Sequence, residues 1–167
     1  YDAKIYRVER INTHGGSIRV YIKKDNKIKI ENSVKELIKV EEKFGIKNYK
    51  TYQEFAKKIY KVRENVRKNI LKLKSKKTKV IGYGSPAKAT TALNFFGISS
   101  EIECIVEDNK LKHGKFLPGM NIPIVSRSEI KVKPDYALVL AWNFFEEIKK
   151  NNSDLAQKFI NIKDLEF

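Results

Sequence analysis

A short apolar run followed by two closely spaced glycines, within the segment Lys79–Lys88, limits the folds that are open to this chain. The apolar residues predict a strand, Gly82 and Gly84 permit a tight turn, and Pro86 suits the first turn of a helix. A strand that turns directly into a helix presents the backbone N–H groups of the helix start to an anion. The segment therefore predicts an α/β domain whose ligand is of the nucleotide type and carries phosphate.

The same segment fits the dinucleotide fingerprint in the form Gly82-x-Gly84-x-x-Ala87. Two carboxylates, Glu107 and Asp108, follow the next apolar run, near the place where a ribose-binding acid is expected. An NAD- or CoA-binding module is therefore one hypothesis for this part of the chain. A strand-to-helix turn in a domain that binds no ligand would have the same pattern. The neighbouring segments are therefore needed to distinguish these two hypotheses.

From residue 78 onward, helical patterns alternate with short apolar runs, which occur at residues 79–81, 101–106, 123–125, 136–140 and 159–162. This order predicts an α/β fold with a doubly wound, mostly parallel sheet of the Rossmann-like kind. Ligands of such sheets bind outside the carboxyl ends of the strands, where the strand order reverses. We therefore expect the turn 82–88, residues 107–109 and residues 141–143 to face one crevice.

The part of the chain before residue 78 has a different organisation. Two strand-like runs around Asn12–Gly16 predict a β-hairpin, and the motifs Ser33-x-x-Glu36 and Thr51-x-x-Glu54 predict two capped helices after it. A two-stranded hairpin alone is marginally stable in water. We therefore expect this hairpin to pack against the rest of the chain or to belong to a sheet whose other strands are missing.

Composition excludes several classes of function. The net charge of +15 comes from dispersed lysines, without the zinc-finger spacing, arginine-rich block or aromatic signature of a specific nucleic-acid binder. The single cysteine, Cys104, excludes a disulfide within the chain, and no residue spacing predicts a metal site. No apolar run is long enough to cross a membrane and no signal peptide is recognisable. A cytoplasmic protein without specific nucleic-acid or membrane partners is the expectation.

Seven short motifs occur in the order that is found in one known family. They are His14-Gly15-Gly16-Ser17-Ile18-Arg19-Val20, Gly82-Tyr83-Gly84-Ser85-Pro86-Ala87-Lys88, Asp108-Asn109, Leu117-Pro118-Gly119, Ile122-Pro123-Ile124, Pro134-Asp135-Tyr136 and Trp142-Asn143. Together they resemble the C-terminal domain of sugar C-methyltransferases, which act on a sugar attached to a nucleoside diphosphate. The resemblance extends over nearly the whole chain.

The resemblance implies a division of the chain into three parts. Residues 1–30 would be the terminal strands of a preceding methyltransferase domain, residues 31–76 a helical linker, and residues 77–167 the Rossmann-like C-terminal domain. The zinc-binding and S-adenosylmethionine-binding domains of the family would lie outside this chain. The chain by itself is then expected to bind the nucleotide sugar, but neither S-adenosylmethionine nor zinc, and to be inactive alone.

The resemblance also implies roles for individual residues. Methyl transfer to a sugar carbon next to a keto group requires removal of a proton, for which His14 is the candidate base because its ordinary pKa suits the task. A loop histidine without a catalytic part is the alternative. The expected substrate-binding residues are Gly82, Gly84, Ser85, Ala87, Lys88, Thr90 and Asn94 at the pyrophosphate, Asp108, Asn109 and Lys110 at the ribose or base, and Trp142 and Asn143 nearby.

Some of these residues, and the chain as a whole, have alternative roles. Asp108 and Asn109 could cap the next turn, and Asn143 could cap a helix. Trp142 could serve packing rather than stacking on a ligand. The domain as a whole could bind NAD or CoA, or could be a structural or interaction domain. Binding of a nucleoside diphosphate, of NAD, or of neither distinguishes these three hypotheses.

Overall fold

The structure, a computed structural model, describes residues 2–13, 15–74 and 78–166. The chain divides into two compact units, Tyr1–Lys58 and Ile59–Phe167. Among the described residues, no helix is long and apolar enough to cross a membrane.

The first unit contains the predicted hairpin. Strand β1 (Lys4–Ile11) pairs antiparallel with β2 (Ser17–Lys23), and Val8 lies opposite Val20. The connecting turn includes Gly16, whose φ of 118° lies in the region that favours glycine. The antiparallel pairing of β1 with β2 confirms the hairpin prediction.

Two helices follow the hairpin, α1 (Asn32–Phe44) and α2 (Tyr49–Lys74). Gly45 ends α1 with a φ of 79°, in the left-handed region that favours glycine. The predicted capping role of Ser33 is wrong, because α1 already begins at Asn32 and the Ser33 hydroxyl accepts a hydrogen bond from the N–H of Val8 at 3.2 Å.

The start of α2 also differs from the sequence prediction. This helix begins two residues before Thr51, and the side chain of Asn48 accepts a hydrogen bond from the N–H of Lys50 at 3.0 Å. An asparagine satisfies the first-turn N–H groups of a helix as well as a threonine does. Since Asn48 comes earlier in the chain than Thr51, the helix begins at Tyr49, directly after Asn48.

The second unit contains a five-stranded parallel sheet, which confirms the predicted fold class. Its strands are β3 (Val80–Tyr83), β4 (Ile105–Val106), β5 (Ile124–Val125), β6 (Tyr136–Val139) and β7 (Lys158–Asn161). Their spatial order is β5-β4-β3-β6-β7. Chain order reverses at the pair β3 and β6, as it does between the two halves of a Rossmann fold.

Apolar side chains cover both faces of this sheet. In and just after β6, Ala137 and Val139 belong to one core cluster, whereas Leu138 and Leu140 belong to the other. The cluster with Leu138 also contains buried residues of α2 and of α3 (Ala87–Phe96), while residues of α4 (Phe145–Asn151) pack on the opposite cluster. Burial on both faces explains why the strands are continuous apolar runs in the sequence.

One predicted helix is much shorter than expected. Ser126 and Glu129 form a capping box, but the segment that they open, Arg127–Glu129, is a single 3-10 turn. Pro134 follows closely, and proline disfavours a helical conformation of the residue before it. The segment between β5 and β6 is therefore too short for an α-helix.

Candidate functional site

A cavity of about 580 Å³ lies at the carboxyl ends of β3, β4 and β6, where the strand order reverses. This is the location that open α/β sheets use for ligands. Its wall consists of Tyr83, Gly84, Ser85, Pro86, Glu107, Asp108, Lys112, Ala141, Phe144, Glu147, Ile148, Asn151 and Asn152. The loops after the three strands and the helix α4 therefore build one concave surface.

The two glycines of the 82–88 segment have different tasks. Gly84 has a φ of 83°, and a Cβ at this position would lie 3.2 Å from the Cβ of Ala141. Gly82 lies inside β3, where a Cβ would lie 3.0 Å from Ile105 and 3.1 Å from Leu140. Gly84 thus lets the turn reach the loop after β6, whereas Gly82 lets the sheet pack closely.

The acid after β4 binds the glycine turn itself. The carboxylate oxygen Oε2 of Glu107 accepts hydrogen bonds from the N–H of Ser85 at 2.8 Å and from its hydroxyl at 2.5 Å. Lys112 lies on the same carboxylate at 3.4 Å and donates to the carbonyl oxygen of Ser85 at 2.9 Å. Glu107 and Lys112 together therefore fix the conformation of the turn.

These contacts set the charge of Glu107. Burial by itself raises the pKa of its carboxyl, but hydrogen bonds from Ser85 and from the N–H of Asn109, with the charge of Lys112, lower the pKa to about 2. The side chain of Glu107 is 13% exposed, against 38% for Lys112. Glu107 is thus a shielded carboxylate that stays ionised at neutral pH.

A second polar network forms the adjacent wall of the cavity. The hydroxyl of Tyr83 donates to the carboxylate of Asp108, with both oxygens at 3.0 Å. Burial and this carboxylate raise the pKa of Tyr83 to about 12. The buried Asn152 accepts a hydrogen bond from Arg127 at 2.9 Å. The network holds Asp108 at the rim, where it is exposed.

A positively charged group of side chains lies beside the cavity. The Nζ atom of Lys88 lies 4.1 Å from the ring centroid of Trp142, and that of Lys163 lies 6.0 Å from the same centroid. Trp142 itself packs against the core cluster that contains residues of α3. Lys88, Trp142 and Lys163 are named here the tryptophan–lysine cluster.

The structure brings only some of the predicted ligand residues together. Gly84, Ser85 and Asp108 line the cavity, whereas Lys88 and Trp142 lie in the tryptophan–lysine cluster. The main-chain and side-chain donors of Ser85 point at Glu107. His14, the predicted base, lies outside the described residues.

The other predicted residues have mainly structural contacts. Asn94 donates to the carbonyl oxygens of Thr90 at 2.8 Å and Pro118 at 3.0 Å. Asn109 accepts from the N–H of Leu111 at 3.0 Å and so caps a 3-10 turn. Three further predicted residues do not line the cavity. Ala87 lies at the start of α3, and Lys110 and Asn143 lie in two different 3-10 turns.

Several residues of the cavity wall were not predicted from the sequence. Lys112, Phe144, Glu147 and Asn151 line the wall but belong to no motif. The sequence signal of Lys112, Phe144 and Glu147 is their position after predicted strands, because loops and helix starts at the carboxyl edge hold ligand contacts. Asn151 is the last residue of α4 and has no such signal. Among the described residues, no three acidic, histidine or cysteine side chains are grouped in a way that could hold a metal ion.

The parallel sheet, its strand order and the cavity at the reversal point define a Rossmann-like domain. Residues 12–161 match the family described as the C-methyltransferase C-terminal domain. The chain therefore belongs to the C-methyltransferase C-terminal domain family.

A relative with a curated name supports this assignment. The chain is 33% identical over 159 residues to the C-methyltransferase NovU of Streptomyces niveus. The match includes 92% of this chain and 37% of the relative. The chain thus spans little more than a third of the length of the relative that it matches.

Proposed function

We propose that this domain binds the nucleotide part of a nucleoside-diphosphate-linked keto sugar for a C-methyltransferase that uses S-adenosylmethionine. The cavity at the reversal point of the sheet carries this proposal, because it combines a ligand-sized volume of about 580 Å³ with polar and aromatic wall groups. Membership of the C-methyltransferase family supports the choice of reaction.

The wall groups suit a nucleoside. Phe144 is 59% exposed and lines the cavity, so its ring offers a surface on which a base can stack. Asp108 provides carboxylate oxygens for ribose hydroxyls, and Asn151 provides an amide that both donates and accepts hydrogen bonds. Phe144 thereby takes the stacking role that the sequence suggested for Trp142.

The glycine turn does not fit an adenosine cofactor in the Rossmann manner. In that manner the turn donates to phosphate and the acid after the second strand accepts from ribose hydroxyls. Here the acid, Glu107, already accepts from Ser85 of the turn. The occupied carboxylate of Glu107 therefore argues against NAD or CoA bound in the Rossmann manner.

The reaction would also require a base. S-adenosylmethionine, bound to a part of the protein beyond this chain, would supply the methyl group. Removal of a proton from the sugar carbon next to the keto group leaves an enolate, whose carbon then accepts the methyl group. His14, between β1 and β2, is the base that we propose.

The hairpin fits a larger catalytic domain. Along β2, Ile18 is 50%, Val20 39% and Ile22 61% exposed, and no described residue of the first unit is buried. Three apolar side chains so exposed on one strand suit contact with further structure. We propose that residues 1–30 complete the methyltransferase domain of the full-length protein.

Calorimetry with this chain tests the nucleotide proposal. We expect thymidine diphosphate or another nucleoside diphosphate to bind and to raise the melting temperature, and NAD and S-adenosylmethionine to do neither. Phe144→Ala should weaken nucleotide binding, while Phe116→Ala should not, since Phe116 is as exposed at 61% but does not line the cavity. Binding of NAD with the same dependence on Phe144 would overturn the proposal.

A further inference from the structure

The tryptophan–lysine cluster places two ammonium groups against one indole ring. Because both distances are measured to the same ring centroid, the Nζ atoms of Lys88 and Lys163 lie no more than about 10 Å apart. Within the described residues 78–166, neither lysine forms an ion pair with an acidic side chain. The cluster is therefore a local concentration of positive charge that no acidic side chain among these residues neutralises.

The cluster lies at the carboxyl edge of the sheet, next to the cavity. Lys88 is the second residue of α3, Trp142 follows the loop after β6, and Lys163 follows β7. The segments directly before Lys88 and Trp142 give Pro86 and Ala141 to the cavity wall. A ligand whose nucleoside occupies the cavity can therefore extend its phosphates towards the cluster.

The charge distribution of the cavity favours this direction. Of the described residues, three acids line the cavity, Glu107, Asp108 and Glu147, but only one lysine, Lys112, which already contacts Glu107. A diphosphate would meet like charge there, and the N–H of Ser85 is occupied by Glu107. The cluster, by contrast, combines two ammonium groups with the start of α3, whose first turn has no side-chain cap.

We propose that Lys163 and Lys88 together bind the diphosphate of the substrate across Trp142, and that Lys163 is a substrate-binding residue that no motif identifies. This inference rests on the proposed function, since it assigns the phosphate part of the same ligand. Trp142 then holds the two ammonium groups through its ring and does not stack on the base.

Trp142 is the single tryptophan of the chain, so its fluorescence reports on the cluster directly. We expect inorganic diphosphate alone to change this fluorescence at low ionic strength in the wild-type chain. In Lys163→Met the affinity for inorganic diphosphate should fall by about tenfold, the usual effect of losing one favourable contact. Lys158→Met is the matched control, because Lys158 is an exposed lysine at the opposite end of the adjacent strand β7.

Calorimetry with thymidine diphosphate and thymidine separates this inference from the proposed function. We expect Lys163→Met to lower the affinity for thymidine diphosphate and to leave the affinity for thymidine unchanged. Equal affinity of wild type and Lys163→Met for the diphosphate, or an equal loss for thymidine, would overturn the role of Lys163. If inorganic diphosphate binds in a Lys163-dependent way but the nucleoside adds no affinity, the cluster is an anion site and the proposed nucleotide function fails.

Discussion

Replacement of Glu107 by glutamine should reveal how much its charge stabilises the second unit. The contacts of Glu107 lower the pKa of its carboxyl from 4.5 to about 2. At 1.36 kcal/mol for each pKa unit, the ionised Glu107 contributes about 3 kcal/mol to the free energy of unfolding at pH 7. Glutamine keeps an acceptor for Ser85 but loses the charge that faces Lys112.

The pH dependence gives the sign of the effect. Because the pKa of Glu107 is lower in the folded state, its contribution is fully present above pH 4.5 and is lost as the pH falls towards 2. Urea unfolding, followed by the fluorescence of Trp142, measures the difference between wild type and Glu107→Gln at several pH values. We expect about 3 kcal/mol at pH 7 and a steady decrease below pH 4.5.

Glu64→Gln is the control for general effects of removing a carboxylate, since Glu64 is exposed on α2. It should change the free energy of unfolding by less than about 0.5 kcal/mol. A difference between wild type and Glu107→Gln that stays the same from pH 7 to pH 3 would refute the electrostatic explanation. A difference at pH 7 no larger than that of the control would refute the stabilising role altogether.

Three further substitutions test other parts of the second unit. Gly84→Ala should cost about 1–2 kcal/mol in urea unfolding, because φ is 83° and the new Cβ would lie 3.2 Å from that of Ala141. Leu93→Ala should cost about 2–5 kcal/mol, since this side chain is 0% exposed in the core. Burial and Asp108 raise the pKa of Tyr83 to about 12, so Tyr83→Phe should remove an ionisation near pH 12 from a spectrophotometric titration of the tyrosines.

The sheet could be predicted from the sequence because each of its strands is a short apolar run. Parallel strands that are buried on both faces lack the polar alternation of exposed strands, so runs such as 136–140 are easy to find. The glycine turn at 82–84 marked the passage from β3 towards α3 in the same way. Helix starts were less certain, since Asn48 competed with Thr51 for the capping role.

The candidate site could be predicted only in part. Its location followed from the rule for carboxyl edges, and Gly84, Ser85 and Asp108 do line the cavity. The partner of Glu107 could not be predicted, because a carboxylate suits ribose hydroxyls and backbone N–H groups equally well. Lys163 carries no local signal either, since only the tertiary structure brings it to the ring of Trp142.

The order of the strands also has a consequence for how the second unit folds. The central strand β3 pairs with β6 as well as with β4, so that Val80 lies beside Tyr136. A long stretch of chain has to be ordered before this central pairing can form, and such non-local contacts slow folding. Until β6 pairs with β3, the unpaired apolar edge of β3 is exposed to other partly folded chains. Slow refolding and a tendency to aggregate at high protein concentration should therefore accompany this topology.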